Sequence, residues 1–136
     1  MMNLKTTLQK AGLLLSVALM AIATFAFSAT PALAETFEVK MGADNGMLQF
    51  VPDKLEVNPG DTVKFVINKV PPHNVVFDKV PGNDTALAKS LSNEPLLFSP
   101  GQSVSVTIPG DAPSGAYQYY CQPHRGAGMN GKLIVK

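Results

Sequence analysis

Apolar and polar residues alternate with a period of two over several short stretches of this chain. In TFEVKM (36–41), Phe37, Val39 and Met41 fall on one side. In DTVKFVINK (61–69) the same side is Val63, Phe65 and Ile67, and in SVSVTI (103–108) it is Val104, Val106 and Ile108. KLIVK (132–136) repeats the pattern with Leu133 and Val135. Side chains on a strand point alternately to its two faces, so this pattern predicts half-buried antiparallel strands. NPGD (58–61), VPGND (80–84), FSPGQ (98–102) and PGDAPSG (109–115) are turn clusters between such runs. Only DTALAKSLS (84–92) reads as a helix, with Asp84 as its N-cap. Many short strands divided by regular turns predict an all-β sandwich.

The first 34 residues do not share this texture. Residues 1–10 carry Lys5 and Lys10 and no acid, and AGLLLSVALMAIATFAF (11–27) is apolar or small throughout. SATPALAE follows, with Ala32 and Ala34 in an A-x-A arrangement before Glu35. A basic start, an apolar run and a small-residue site form a cleavable export signal. The run is shorter than the ~20 residues of a membrane-spanning helix. Cleavage after Ala34 leaves residues 35–136 as one domain with one core. That remainder holds 9 basic against 10 acidic residues, without the basic stripe of a nucleic-acid binder. Cys121 is the only cysteine, so no disulfide forms within the chain.

The candidate chemistry lies in YYCQPHRGAGMNGKLIVK (119–136). This segment holds Cys121, His124 and Met129, with Pro123, Gly126 and Gly128 shaping the turn. In GAYQYYC (115–121), Tyr117, Tyr119 and Cys121 share one face while Tyr120 has the opposite parity. If the first two face the core, the thiol points inward from the rim and Tyr120 points outward. The only other histidine, His73, follows Pro71 and Pro72 where a strand should begin. Loops distant in sequence gather at one end of a sandwich, so His73 and His124 can meet. Two imidazoles, a thiolate and a weak axial Met are the ligand set of a blue-copper electron-transfer site. Four protein ligands close the site, whereas catalytic zinc or copper keeps a position open. A copper oxidase needs more than two histidines, and a cysteine hydrolase needs an open thiolate–imidazole pair. The protein is therefore read as no enzyme.

PPHNVVFD, together with YYCQPHRGAGMNGKLIV and FVPDKLEVNPGDTVKFVINK (50–69), resembles the plastocyanin family of type 1 blue-copper cupredoxins. The resemblance covers essentially all of 35–136. It implies an eight-stranded Greek-key β-sandwich with one copper held by His73, Cys121, His124 and Met129. It implies a monomer of the thylakoid lumen that carries single electrons from cytochrome f of the cytochrome b6f complex to photosystem I in transient contacts. His124 corresponds to the ligand at the surface, ringed by an apolar patch to which Gly46, Leu48, Pro72 and Ala127 belong by position. Tyr120 matches a tyrosine beside a second contact region, and Asn74 matches the residue that braces the two ligand loops. DKVPGND (78–84) departs from plant members, because it lacks their acidic runs. Steering by a strong acidic patch is then absent, and Arg125 beside His124 is expected to guide docking to negative partner surfaces. With the short export signal, this points to a cyanobacterial-type protein. Two other readings stay open: a pseudoazurin-like donor to a periplasmic reductase, and a copper carrier or storage protein.

Overall fold

The computed structural model of the chain describes residues 33–136, so the expected leader falls almost wholly outside the described residues. Nine strand segments form two sheets. The first sheet holds β1 (Thr36–Met41), β2 (Phe50–Val51), β4 (Thr62–Ile67) and β7 (Ser103–Thr107), in the order β2-β1-β4-β7. The second holds β3 (Lys54–Val57), β5 (His73–Lys79), β6 (Asn93–Leu97), β8 (Gly115–Tyr120) and β9 (Asn130–Val135), in the order β3-β9-β8-β5-β6. β2 and β3 are two halves of one extended stretch that leaves the first sheet and joins the second. Counted as one, they give the eight strands of the Greek-key sandwich.

The alternation seen in the sequence sorts residues as predicted. Val39, Met41, Val63, Phe65, Ile67, Val106, Ile108, Leu133 and Val135 are all buried in one core. Phe37 and Val104, nearer the strand ends, are half-buried and pack against it. Strand direction differs from expectation in two places. β1 runs parallel to β4, with Thr36 opposite Thr62, and β3 runs parallel to β9, with Lys54 opposite Lys132. Alternation reports which face is covered, and a covered face looks the same for either direction of pairing.

Tyr119 is the hub of the core. Its ring meets Phe50, Phe65 and Phe77 at centroid distances of 4.8, 5.2 and 5.2 Å, the first two edge-on. Such geometry sets the positive edge of one ring against the negative face of another. Tyr117 is also buried and donates its hydroxyl to the Pro113 carbonyl at 2.7 Å. The two tyrosines thus fix β8 inward-facing at alternate positions, and Cys121 is next in that series. The one α-helix among the described residues, α1 (Thr85–Leu91), is capped as expected: Asp84 Oδ1 accepts from the Leu87 N–H at 3.0 Å. Its Ala88 and Leu91 face the core.

Candidate metal centre

Two connections at one end of the second sheet bring the donor atoms together. His73 is the first residue of β5, and Cys121 follows the last residue of β8. The strands are antiparallel neighbours, with Val76 opposite Tyr120. The pairing places the start of one strand beside the end of the other, across 48 positions of sequence.

The loop after Cys121 is a closed ring of backbone hydrogen bonds. Cys121 N–H donates to the Met129 carbonyl at 3.0 Å, and Met129 N–H donates to the His124 carbonyl at 3.2 Å. His124 N–H in turn donates to the Cys121 carbonyl at 3.2 Å. Gly128, at φ +82°, supplies the left-handed turn that brings the chain back to Met129. The three residues are therefore positioned by main-chain geometry, with Pro123 inside the first tight turn.

His73, Cys121 and Met129 are buried completely, and His124 is half-buried. One donor atom from each of His73, Cys121 and His124 lies within 4.8 Å of the others. The Cys121 Sγ stands 3.5 Å from Nδ1 of both histidines. His73 Nε2 lies 2.6 Å from the Lys69 carbonyl, which can only accept. Nε2 therefore carries the proton, and Nδ1 turns an unprotonated lone pair toward the sulfur. Burial holds the His73 pKa below its ordinary value, against the Lys69 hydrogen bond, so the ring stays neutral and able to ligate. Burial pushes the Cys121 thiol up, while hydrogen bonds from the Asn74 and His124 backbone pull it back down. Those two N–H groups are ready-made partners for a thiolate. The donor set therefore fits a metal that prefers one soft sulfur and neutral imidazoles, and copper is such a metal.

Asn74 ties the two connections to each other. Its Oδ1 accepts from the Gln122 N–H at 2.8 Å, and its Nδ2 donates to the Glu94 carbonyl at 2.9 Å and to Gln122 Oε1 at 3.3 Å. The sequence had singled out Asn74 by resemblance. It gave no sign of Gln122, Glu94 or the Lys69 carbonyl, because a hydrogen-bond partner across a fold has no sequence spacing of its own.

The remaining expected residues fall around this centre. Gly46, Leu48 and Pro72 are half-buried, Leu48 packing against the core, and Ala127 is exposed. Tyr120 faces outward, as its parity required. Arg125 is not a free charge: its guanidinium pairs with Asp78 at 3.0 Å and lies 3.9 Å over the Tyr120 ring. A groove of about 550 Å³ on the outer face of the second sheet is lined by these three residues and by Lys54, Lys79 and Lys132. The donor cluster is not part of its lining.

A thiolate–imidazole cluster under the rim of a two-sheet sandwich defines the class, a blue-copper electron carrier of cupredoxin fold. Comparison with known proteins narrows it. The profile of the copper binding proteins, plastocyanin/azurin family, matches residues 37–136. The chain is 48% identical over 135 residues to a plastocyanin of Nostoc punctiforme, covering 98% of this chain and 97% of that one. It is 58% identical over 110 residues to a plastocyanin of a Synechococcus strain, covering 81% and 80%. Its structure matches oxidised plastocyanin from the fern Dryopteris crassirhizoma with a TM-score of 0.61 at 32% identity, over 73% of this chain and 99% of that one. The chain belongs to the plastocyanin/azurin family of copper-binding proteins.

Proposed function

We propose that His73, Cys121, His124 and Met129 together bind one copper ion, and that the protein carries single electrons from cytochrome f to photosystem I. The observation that carries the site is the convergence of three donor atoms within 4.8 Å, one of them a histidine nitrogen freed for ligation by the Lys69 carbonyl. When bound, copper supplies the one-electron Cu(I)/Cu(II) couple. The chain's own part is to keep the shape of the site constant. The ring of hydrogen bonds in residues 121–129 and the Asn74 bridge hold the donors whichever charge is present. Burial of His73, Cys121 and Met129 excludes water, and small rearrangement means a low barrier to transfer.

In this reading His124 is the exit. It alone of the four is partly exposed, and Gly46, Leu48, Pro72 and Ala127 supply the apolar contact around it. A small apolar contact suits a carrier that must leave quickly. Tyr120 and Arg125 serve a second contact on the outer face of the sheet. Four protein donors leave no position for a substrate, so the protein acts as a carrier and not as an enzyme. The work is done by a monomer in the thylakoid lumen, reached by export and by cleavage after Ala34.

The visible spectrum of the copper-loaded, oxidised protein tests the site. An intense blue thiolate band that bleaches on reduction is expected. A pale product holding one copper per chain would remove Cys121 from the ligand set and the carrier reading with it. Stopped-flow oxidation of reduced cytochrome f tests the partner. No transfer to the protein would leave the pseudoazurin-like alternative in its place.

A further inference from the structure

The NPGD turn holds a carboxylate that the copper site does not use. Asp61 is 2% exposed, and it is the only acidic residue buried among the described residues. Carboxylates are almost never buried without a compensating charge. None of the ion pairs among the described residues involves Asp61. Its Oδ2 accepts from the Asn58 N–H at 2.7 Å, a bond within the turn. Its Oδ1 accepts from the Glu35 N–H at 2.9 Å, 26 positions away. Glu35 is held at that place from its other side, because its carbonyl accepts from the Thr62 N–H at 2.9 Å.

We propose that Asp61 is a built receptor for the α-ammonium group of Glu35, a group that exists only after the leader is removed. The proposal rests on cleavage after Ala34 as read above. In the precursor the Glu35 nitrogen is a neutral amide. Hydrolysis by an export peptidase breaks the Ala34–Glu35 C–N bond. Water gives its hydroxyl to the Ala34 carbonyl carbon and a proton to the Glu35 nitrogen, which takes a further proton from solvent near neutral pH. The nitrogen is already fixed beside Oδ1, so processing converts an amide hydrogen bond into a part-buried ion pair without moving the chain. Charge-assisted hydrogen bonds are roughly twice as strong as neutral ones. The site also discriminates by position. A chain beginning at Leu33 or Ala34 would keep a neutral amide at Glu35 and leave Asp61 without its cation. Removal of the leader thus fastens the residue before β1 to the turn before β4, and the processed protein is more stable than one left a residue too long.

The experiment compares copper-loaded protein in three forms: exported and processed, extended by Ala34, and processed but acetylated at the α-nitrogen. Intact mass fixes the first residue of the exported form, and urea unfolding gives stability with and without Asp61→Asn. The cost of Asp61→Asn, read as the drop in the folding equilibrium constant, is expected to be about five-fold larger in the processed form than in the extended form. Acetylation keeps the N–H and removes the charge, so it should lower the folding constant of the wild-type chain by a similar factor. It decides the matter if Asp61→Asn fails to fold. Equal cost in both forms, no effect of acetylation, or an exported chain that starts elsewhere than Glu35 overturns the proposal. The blue band of the same samples reports separately on the copper reading.

Discussion

Single side chains around the donor cluster differ in what they can be asked to do. Asn74, the second residue of β5, makes three hydrogen bonds, two to Gln122 in the loop after β8 and one to the Glu94 carbonyl of β6. Asn74→Ala removes the acceptor of the part-buried Gln122 N–H and should cost about 1–3 kcal/mol in urea unfolding of the copper-free protein. A change under about 0.5 kcal/mol would mean that the bridge is not structural. Tyr119 is the opposite case. Its ring is central to the core, yet its buried hydroxyl has no hydrogen-bond partner among the described residues. Tyr119→Phe keeps the ring and removes a desolvated polar atom, so the protein should gain about 1 kcal/mol in stability. A clear loss in a thermal melt would show that the hydroxyl is satisfied in solution. Asn74 was legible only through resemblance, and the Tyr119 hydroxyl was not legible at all. Parity says that a side chain points inward, but not what waits for its polar tip.

At the scale of elements, local rules hold where local chemistry decides. The α1 cap is one such place. Asp84→Ala removes the acceptor for Leu87 N–H and should cost about 1 kcal/mol, read from a shift in urea midpoint. β9 shows the contrary. Gly131 is the second residue of that strand, at ordinary backbone angles, yet a Cβ there would stand 2.7 Å from the Tyr119 ring. Gly131→Ala should therefore destabilise by about 1–3 kcal/mol through overpacking, and Gly131→Ala combined with Tyr119→Leu should recover part of the loss. Failure of the double variant to recover would place the strain elsewhere. The strands with clean alternation were readable in advance. β6 was not: NEPLL has no period-two pattern, carries Pro95, and lies at the edge of its sheet with only its ends half-buried. An edge strand with little covered surface leaves no mark in the sequence.

The whole molecule has little net charge, and Arg125, next in sequence to His124 at the proposed exit, is already engaged by Asp78 and Tyr120. It remains more than half exposed, so it can meet a partner while being held in one orientation. Arg125→Glu removes that cation and sets a carboxylate against Asp78. Electron transfer to the partner should slow by about ten-fold at low ionic strength, with the difference shrinking as salt is added. The blue band should be unchanged, because the guanidinium is held by Asp78 and the Tyr120 ring on the outer face of the sheet. An unaltered rate would make the residue a brace for its loop and nothing more. Loss of the band would mean that the Asp78 pair holds His124 in place.

The sequence by itself determined the class of fold, the inward parity of Tyr117, Tyr119 and Cys121, the helix start at Asp84 and the choice of His73, Cys121 and His124 as residues whose donor atoms converge. Each of these depends on residue type at short spacing, where strand pleat, cap and ligand chemistry act directly. Only the tertiary structure decided which strands run parallel and which nitrogen of His73 is free. It also decided that Asn74 reaches Gln122, that Arg125 is paired, and that Asp61 lies buried against the Glu35 nitrogen. Those outcomes depend on partners tens of residues apart, brought together by packing of the whole core, and no local pattern encodes them.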